Sequence, residues 1–360
     1  MKITTIVGAR PQFIKAATIS PLLKEAGIEE YLIHTGQHYD REMSDVFFDE
    51  LGMKAPDCNL EINNLSHGAM TGRMIEQIEQ KLFDLNPDMI LIYGDTNSTM
   101  AGAIAASKLD IPVAHVEAGM RSFNTKMPEE VNRLVADQLS TYLFCSTEGA
   151  VKNLHQENNP GHIHLVGDVM VDLIREQLID AKPLHFGDYI LTTIHRQENT
   201  DDPIKLHNIF AGLRLLSKQV RVIMPLHPRT KKQIEKYNID TDSIGIIDPL
   251  SYKEMLRYEK YSQAIVTDSG GIQKEAYCCN VPCITIRDQT EWTELITHRY
   301  NQLIKPNSDV IYRTVMEATE TNSMLNQQYN MSLYPPHAAQ TIVGLISKIK
   351  TFKGPPYEYQ

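Results

Sequence analysis

Eleven short apolar runs rich in β-branched residues alternate with amphipathic stretches along this chain. That alternation narrows the fold more than any single motif. Candidate strands are 2–8, 30–35, 88–93, 112–117, 141–146 and 162–166 in the first half, and 188–194, 220–226, 244–247, 263–267 and 282–286 in the second. Helical patterns lie between them, for example at 70–84, 97–108, 129–140, 203–217 and 271–279. Strands that are apolar on both faces and separated by helices belong to parallel sheets covered on both sides. The chain therefore reads as α/β, with two doubly wound, Rossmann-like domains at 1–170 and 186–336, joined near 168–187. Pro335-Pro336 opens a last helix, about 337–350, and the segment 337–360 is expected to return to the first domain. A length of 360 residues with 42% hydrophobic content suits two cores.

Charge and patterning exclude several function classes. A formal net charge of -10 argues against nucleic acid or an anionic membrane as a partner. No apolar run reaches membrane-spanning length. The first residues read as a core strand rather than a signal peptide, so a cytoplasmic enzyme is expected. Cys58, Cys145, Cys278, Cys279 and Cys283 lack a zinc-binding spacing, and Cys145 and Cys283 fall in predicted strands as core fillers. No metal is expected.

In doubly wound sheets, ligands bind beyond the carboxyl ends of the strands. Polar clusters follow the predicted strand ends at Arg10, Gln37-His38, Asp95, His115 to Glu117, His195-Arg196, His227 and Asp268-Ser269. Arg10 and Lys15 flank a helix start at which Pro11 suits the first helical position, which makes an anion site. The plainer reading is a strand–helix turn with two surface cations. No G-x-G-x-x-G follows the first strand, so a dinucleotide fold is not indicated.

Asp95, Glu117 and Glu129 each have an ordinary explanation when taken singly. Asp95 suits the N-cap of the next helix, Glu117 can pair with Arg121, and Glu129 can pair with Arg133 at i,i+4. Taken together they are three carboxylates from consecutive units on one rim. Such groups repel, so at least one is expected to have a raised pKa and to serve as acid or base. In the second half, His195 ends a strand and suits a phosphate contact, a proton transfer or a satisfied core position. Ser269, Gly270 and Gly271 open a helix with exposed N–H groups suited to a diphosphate. Glu275, one turn on, suits ribose hydroxyls, and Arg287 at a later strand end adds positive charge. A ligand held by both halves would lie between two domains, an arrangement suited to a nucleotide-sugar.

From Gly8-Ala9-Arg10-Pro11 to His337-Ala338-Ala339, these motifs resemble, in order, the non-hydrolysing UDP-N-acetylglucosamine 2-epimerases. The resemblance implies a GT-B-like fold of two Rossmann-type domains around a cleft, a homodimer, no external cofactor and no obligatory metal. It places Asp95, Glu117 and Glu129 as the catalytic carboxylates, and Arg10, Lys15 and His195 near the diphosphate and reaction centre. It places Ser269, Gly270, Gly271 and Glu275 in the nucleotide-binding turn. The implied chemistry is loss of UDP to give a 2-acetamidoglucal, then re-addition with C2 protonated on the other face.

The chain departs from the better-known members of that family at several points. It reads Arg287-Asp288-Gln289-Thr290-Glu291-Trp292, with its one Trp where they carry Arg, and has Lys274 where Glu is usual. Its opening motif has Ala9 and Gln12 rather than Thr and Glu. The stretch Gly36 to Asp40 lacks a later Gln that some members use to hold an activating substrate molecule. These departures resemble the branch acting on UDP-2,3-diacetamido-2,3-dideoxy-glucuronate, which serves surface polysaccharides such as the lipopolysaccharide O-antigen. Arg73 and Lys274 are candidate cations for the carboxylate of such a sugar. The alternatives are UDP-N-acetylglucosamine as substrate, a hydrolysing epimerase, a GT-B glycosyltransferase or a sugar-nucleotide binding protein.

Overall fold

The structure, a computed structural model, describes residues 1–37, 54–179, 181–182, 184, 187–320 and 333–349, without the side chains of Arg10 and Glu320. The chain divides into two compact units, Met1–Leu173 with Met331–Gln360, and Ile174–Asn330.

The first unit runs β1 (Lys2–Val7), α1 (Arg10–Glu25), β2 (Glu29–His34), β3 (Cys58–Asn59), α2 (His67–Leu85), β4 (Met89–Tyr93), α3 (Asn97–Lys108), β5 (Val113–Ala118), α4 (Pro128–Leu139), β6 (Tyr142–Cys145), α5 (Glu148–Gln156) and β7 (His162–Leu165), followed by α6 (Val169–Ile179), which continues into the second unit. Its sheet has the order β3-β2-β1-β4-β5-β6-β7, with every pairing parallel. The Met-Ile-Leu-Ile-Tyr run of β4 is buried throughout, because helices cover both faces of the sheet.

The second unit continues with β8 (Tyr189–Thr193), α7 (Gln197–Thr200), α8 (Pro203–Leu216), β9 (Arg221–Pro225), α9 (Pro228–Tyr237), β10 (Gly245–Ile247), α10 (Tyr252–Lys260), β11 (Ala264–Thr267), α11 (Gly270–Cys279), β12 (Cys283–Ile286), α12 (Thr293–Thr297), β13 (Asn301–Ile304) and α13 (Ser308–Glu320). Its six parallel strands lie in the order β10-β9-β8-β11-β12-β13. Asn86, Asn238 and Asn280 end α2, α9 and α11 in the left-handed conformation that releases a chain from a helix.

The last helix, α14 (Ala338–Ile346), belongs to the first unit. Ala338, Ile342 and Ile346 share a core with Phe13, Ile19 and Leu23 of α1. Asp172 fixes its start, accepting the N–H groups of His337 and Ala339 at 3.0 Å each.

Both sheets reverse strand order at one place, between β1 and β4 and between β8 and β11. Ligand sites form at such switch points. Three features were not anticipated. The stretch read as a join contains α6, whose Val171, Ile174 and Leu178 recur at helical spacing and are buried. Half of the remaining stretch from Asp180 to Gly187 lies outside the described residues. β3 is too short to leave a pattern. β13 is a polar edge strand whose Asn301 is spent on hydrogen bonds to Thr285 (2.8 Å) and Gln273 (2.7 Å).

Candidate active site

At the switch point of the first unit, the turns after β1 and β4 are joined by one side chain. Gln12 accepts from the N–H of Gly8 (2.8 Å) and Ala9 (3.1 Å), and donates to the Tyr93 carbonyl (2.8 Å) and Thr99 Oγ1 (2.9 Å). Gly8 is required at this crossing, since a Cβ there would lie 2.1 Å from both Ser98 Oγ and Thr35 Oγ1. Lys15, one turn into α1, places its Nζ 2.7 Å from Glu117 Oε1, with the side chains only 7% and 9% exposed. It is therefore no surface cation. Arg10 opens α1, but its side chain lies outside the described residues, as do His38 to Asp40. Gln37 accepts from the N–H (3.2 Å) and hydroxyl (2.8 Å) of Ser98.

The carboxylates are held differently from their single-residue readings. Thr96, not Asp95, is the N-cap of α3 and accepts from Thr99 N–H. Asp95 instead pairs through Oδ2 with Nη2 of Arg133, and Asn132 donates to its backbone carbonyl at 2.9 Å. Burial pushes the Asp95 carboxyl above its usual value; Arg133 and Lys15 oppose that shift, and Glu117 and Glu129 add to it. Glu117 takes Lys15 rather than Arg121, which is committed to Asp137 (2.7 Å) and Glu157 (2.6 Å). Glu129 is exposed in the first turn of α4, and no ion pair joins it to Arg133 among the described residues. The second cation bond of Arg133 goes to buried Glu130 at 3.3 Å. Glu130 also accepts from Ser122 N–H and Oγ (2.8 Å each) and Phe123 N–H (3.1 Å).

Glu117 has a φ of 70°, in the left-handed region, at a register shift between Val116 and Ala118. A non-glycine residue there stores strain, commonly at functional sites. The irregularity turns its side chain out of the strand alternation toward Lys15.

In the second unit, Asp268 is fully buried at the end of β11. It accepts from the N–H groups of His195 (3.0 Å to Oδ1) and Arg196 (3.0 Å) and from Asn199 Nδ2 (3.1 Å). His195 Nδ1 lies 3.5 Å from Asp268 Oδ1, and its ring stacks on His227 at 5.4 Å. Burial holds the His195 pKa below its usual value, against the pull of Asp268 and with help from His227 and Arg196. A neutral, oriented imidazole with 36% of its side chain exposed is suited to proton transfer or hydrogen bonding.

Ser269 occupies the N-cap of α11 without a side-chain cap bond, and Gly270 and Gly271 form the first turn. A Cβ on Gly270 would meet Glu291 Oε1 at 2.5 Å. Arg287 is buried and its charge is met by Glu291 (2.9 Å) and Glu198 (3.7 Å), so it supports the turn from behind. Trp292 donates from Nε1 to the Gly270 carbonyl at 2.9 Å, and the Lys274 ammonium sits 3.4 Å from its ring centroid. Lys274 is thus buried against an aromatic face. Arg73, the other candidate cation, is exposed on α2 beside Glu76 (3.6 Å). Glu275 is buried in α11 beside the carboxyl of Glu259 on α10, and Glu259 is pushed well above its usual value by burial first and by Glu275 second.

Glu130 and Asp137 were not singled out from the sequence, and Arg133 was read only as a partner for Glu129. A signal for them existed: positions 130, 133 and 137 share one face of α4, a charged stripe on the side a covered helix buries.

Two parallel sheets with polar groups gathered at their switch points define a two-domain α/β enzyme of GT-B-like type. The family described as UDP-N-acetylglucosamine 2-epimerase matches residues 21–347, and the chain belongs to that family. It is an isomerase acting on a UDP-sugar. It is 47% identical over 320 residues to a UDP-2,3-diacetamido-2,3-dideoxy-D-glucuronate 2-epimerase from Pseudomonas aeruginosa, covering 86% of this chain and 90% of the relative. It is 45% identical over 344 residues to a UDP-N-acetylglucosamine 2-epimerase homolog from Methanococcus maripaludis, covering 91% and 96%. The crystal structure of Methanocaldococcus jannaschii UDP-GlcNAc 2-epimerase in complex with UDP-GlcNAc and UDP superposes with a TM-score of 0.84 at 38% identity, covering 96% of this chain and 99% of that one.

Proposed function

We propose that the chain inverts C2 of a UDP-2-acetamido sugar without hydrolysis, by eliminating UDP and adding it back. The C2 proton of such a sugar has no adjacent carbonyl and is not acidic, so direct deprotonation and return is a poor route. Loss of UDP from C1 with a C2 proton gives a 2-acetamidoglucal; re-addition of UDP then protonates C2 from the opposite face. A base must remove that proton and an acid must return one. The observation that carries the reading is a group of neighbouring carboxyls held by separate cations, Asp95 by the Arg133 guanidinium and Glu117 by the Lys15 ammonium. Burial raises the Asp95 pKa, which suits that carboxyl to acid–base work. Glu129 is the third candidate, exposed at the start of α4.

Arg10, Lys15, His195 and the turn of Ser269, Gly270 and Gly271 are assigned to the departing diphosphate, where helix N–H groups and donors stabilise developing charge. Glu275 is assigned to the ribose, and Arg287 holds Glu291 against the turn. The favoured substrate is UDP-2,3-diacetamido-2,3-dideoxy-glucuronate, converted to its manno epimer for a surface polysaccharide such as an O-antigen. The Glu291-Trp292 and Ala9–Gln12 motifs, which resemble the diacetamido-glucuronate branch, support that sugar. The second reading is UDP-N-acetylglucosamine to UDP-N-acetylmannosamine, supported by the likeness to the Methanocaldococcus jannaschii structure. A homodimer in the cytoplasm is the expected working form.

Proton NMR in D2O with each sugar tests the reading. A manno product carrying deuterium at C2 with UDP still attached supports it, and the sugar that reacts fixes the substrate. Free UDP with a free sugar would place the chain with hydrolysing epimerases; no change with either sugar would favour a glycosyltransferase.

A further inference from the structure

Beneath Asp95 and Glu117 lies a set of charged groups with no access to solvent. Asp137 on α4 and His115 on β5 are both fully buried. Asp137 Oδ1 is 2.8 Å from His115 Nδ1, and its Oδ2 accepts from Arg121 Nη1 (2.7 Å) and from the Gly119 N–H (3.1 Å). The other ring nitrogen, Nε2, is 2.7 Å from the Gly94 carbonyl oxygen. A carbonyl only accepts, so Nε2 must carry a proton. Asp137 already accepts from a guanidinium and an amide, which identifies it as the anion, so Nδ1 must carry a proton as well.

This arrangement holds two turns at once. Gly94 is fastened at both ends to β5, with its N–H donating to the Val116 carbonyl at 3.0 Å and its carbonyl accepting from His115. Its φ of 61° suits glycine, and a Cβ there would lie 3.3 Å from Lys15 Nζ. The next residue is Asp95. On the other side, Gly119, held by Asp137, comes two residues after the strained Glu117. A residue kept in a sparsely populated conformation needs surroundings that over-determine it.

We infer that Asp137 and a doubly protonated His115 form a positioning pair that keeps the Gly94–Asp95 turn and the Glu117–Gly119 turn in register. Neither residue is assigned contact with substrate. The inference rests on the assignment of Asp95 and Glu117 to the C2 chemistry. Burying His115, Arg121 and Asp137 is tolerable here because the partly exposed Glu157 balances the second cation, accepting from Arg121 Nε at 2.7 Å and Nη2 at 2.6 Å.

Two measurements test it. In the wild-type chain with 13C,15N-labelled histidine at neutral pH, the His115 ring resonances, assigned by through-bond correlation to its own backbone, should show protons on both ring nitrogens. A single ring proton would overturn the pairing, and this holds whether or not any variant folds. In kinetics, Asp137→Asn should lower kcat by about 10- to 100-fold, the range for a supporting hydrogen-bond partner, with KM for the UDP-sugar within about threefold. UDP affinity should be unchanged. A kcat within about threefold of wild type, or an equal loss of UDP affinity, would overturn the positioning role. If the wild-type chain epimerises no UDP-sugar, the assignment of Asp95 and Glu117 fails, and the ring protons still decide whether the pair exists.

Discussion

Replacing Lys15 with Met isolates the energetics of the carboxylate rim. The Lys15 ammonium and Glu117 carboxylate are 2.7 Å apart with side chains 7% and 9% exposed. Point charges at that separation in an effective dielectric of about 20 attract by roughly 6 kcal/mol, and desolvation of both groups offsets most of it. The pair as a whole is therefore worth little against an apolar pair of similar shape. Removing only the cation is different, because the carboxylate stays in a site built for an ion pair. Lys15→Met is expected to cost about 3–5 kcal/mol, which moves the urea midpoint by roughly 1–2 M. Lys15→Met combined with Glu117→Gln should recover most of the loss, to within about 1 kcal/mol of wild type. Equilibrium urea denaturation at pH 7 of the wild type, both single variants and the double variant measures the coupling. A loss below about 1 kcal/mol in Lys15→Met is the behaviour of an exposed pair and would refute the burial argument.

Three further outcomes follow from the same geometry. Asp95→Asn should lower kcat by roughly 100-fold or more, as expected for loss of an acid–base group, while UDP titration shows little change; retained turnover would remove Asp95 from the chemistry. Glu259 holds a proton in the folded chain that the unfolded chain releases, so its contribution is complete below the ordinary Glu value and is lost as pH rises above it. The pH slope of stability between about pH 4 and 7 should therefore change in Glu259→Gln, and equal slopes in chemical denaturation would exclude a raised Glu259 carboxyl. Trp292→Phe removes the indole donor from the Gly270 carbonyl and should cost about 1–2 kcal/mol in thermal melts while raising KM for the UDP-sugar; an unchanged KM would separate Trp292 from the nucleotide turn.

Much of the sheets and their covering helices was legible because most strands are short apolar runs and several helices carry their own start or stop signals, as at Thr96 and Asn280. The rim positions were legible because ligand sites gather beyond strand ends. Who pairs with whom was not. Near neighbours in sequence were the natural partners for Asp95, Glu117 and Glu129, yet Arg133 reaches Asp95 across 38 residues and Lys15 reaches Glu117 across 102. Such pairings depend on strand order, which a single sequence does not encode locally. The edge strand β13 was hidden for a related reason: Asn301 serves side-chain bonding, so the segment never shows an apolar run.

The places where local rules fail coincide with the rim. Glu117 occupies a left-handed conformation that side chains resist, Asp95 is a carboxyl raised by burial, and Lys15 is a lysine with almost no exposure. Each is unfavourable alone, and a sequence selected for stability would carry Gly, Asn and Leu more easily at such positions. Their cost is offset within the same unit by Gln12 across two turns, by Glu130 on the following loop, and by Asp137 between His115 and Arg121. These supporting groups are themselves polar and buried, so they hold the site only as a complete set: removing one leaves another unsatisfied. That interdependence is why a network spread over β4, β5 and α4 can fix Asp95 and Glu117 within one small region, and why single substitutions beneath the rim should be felt in turnover before they are felt in substrate binding.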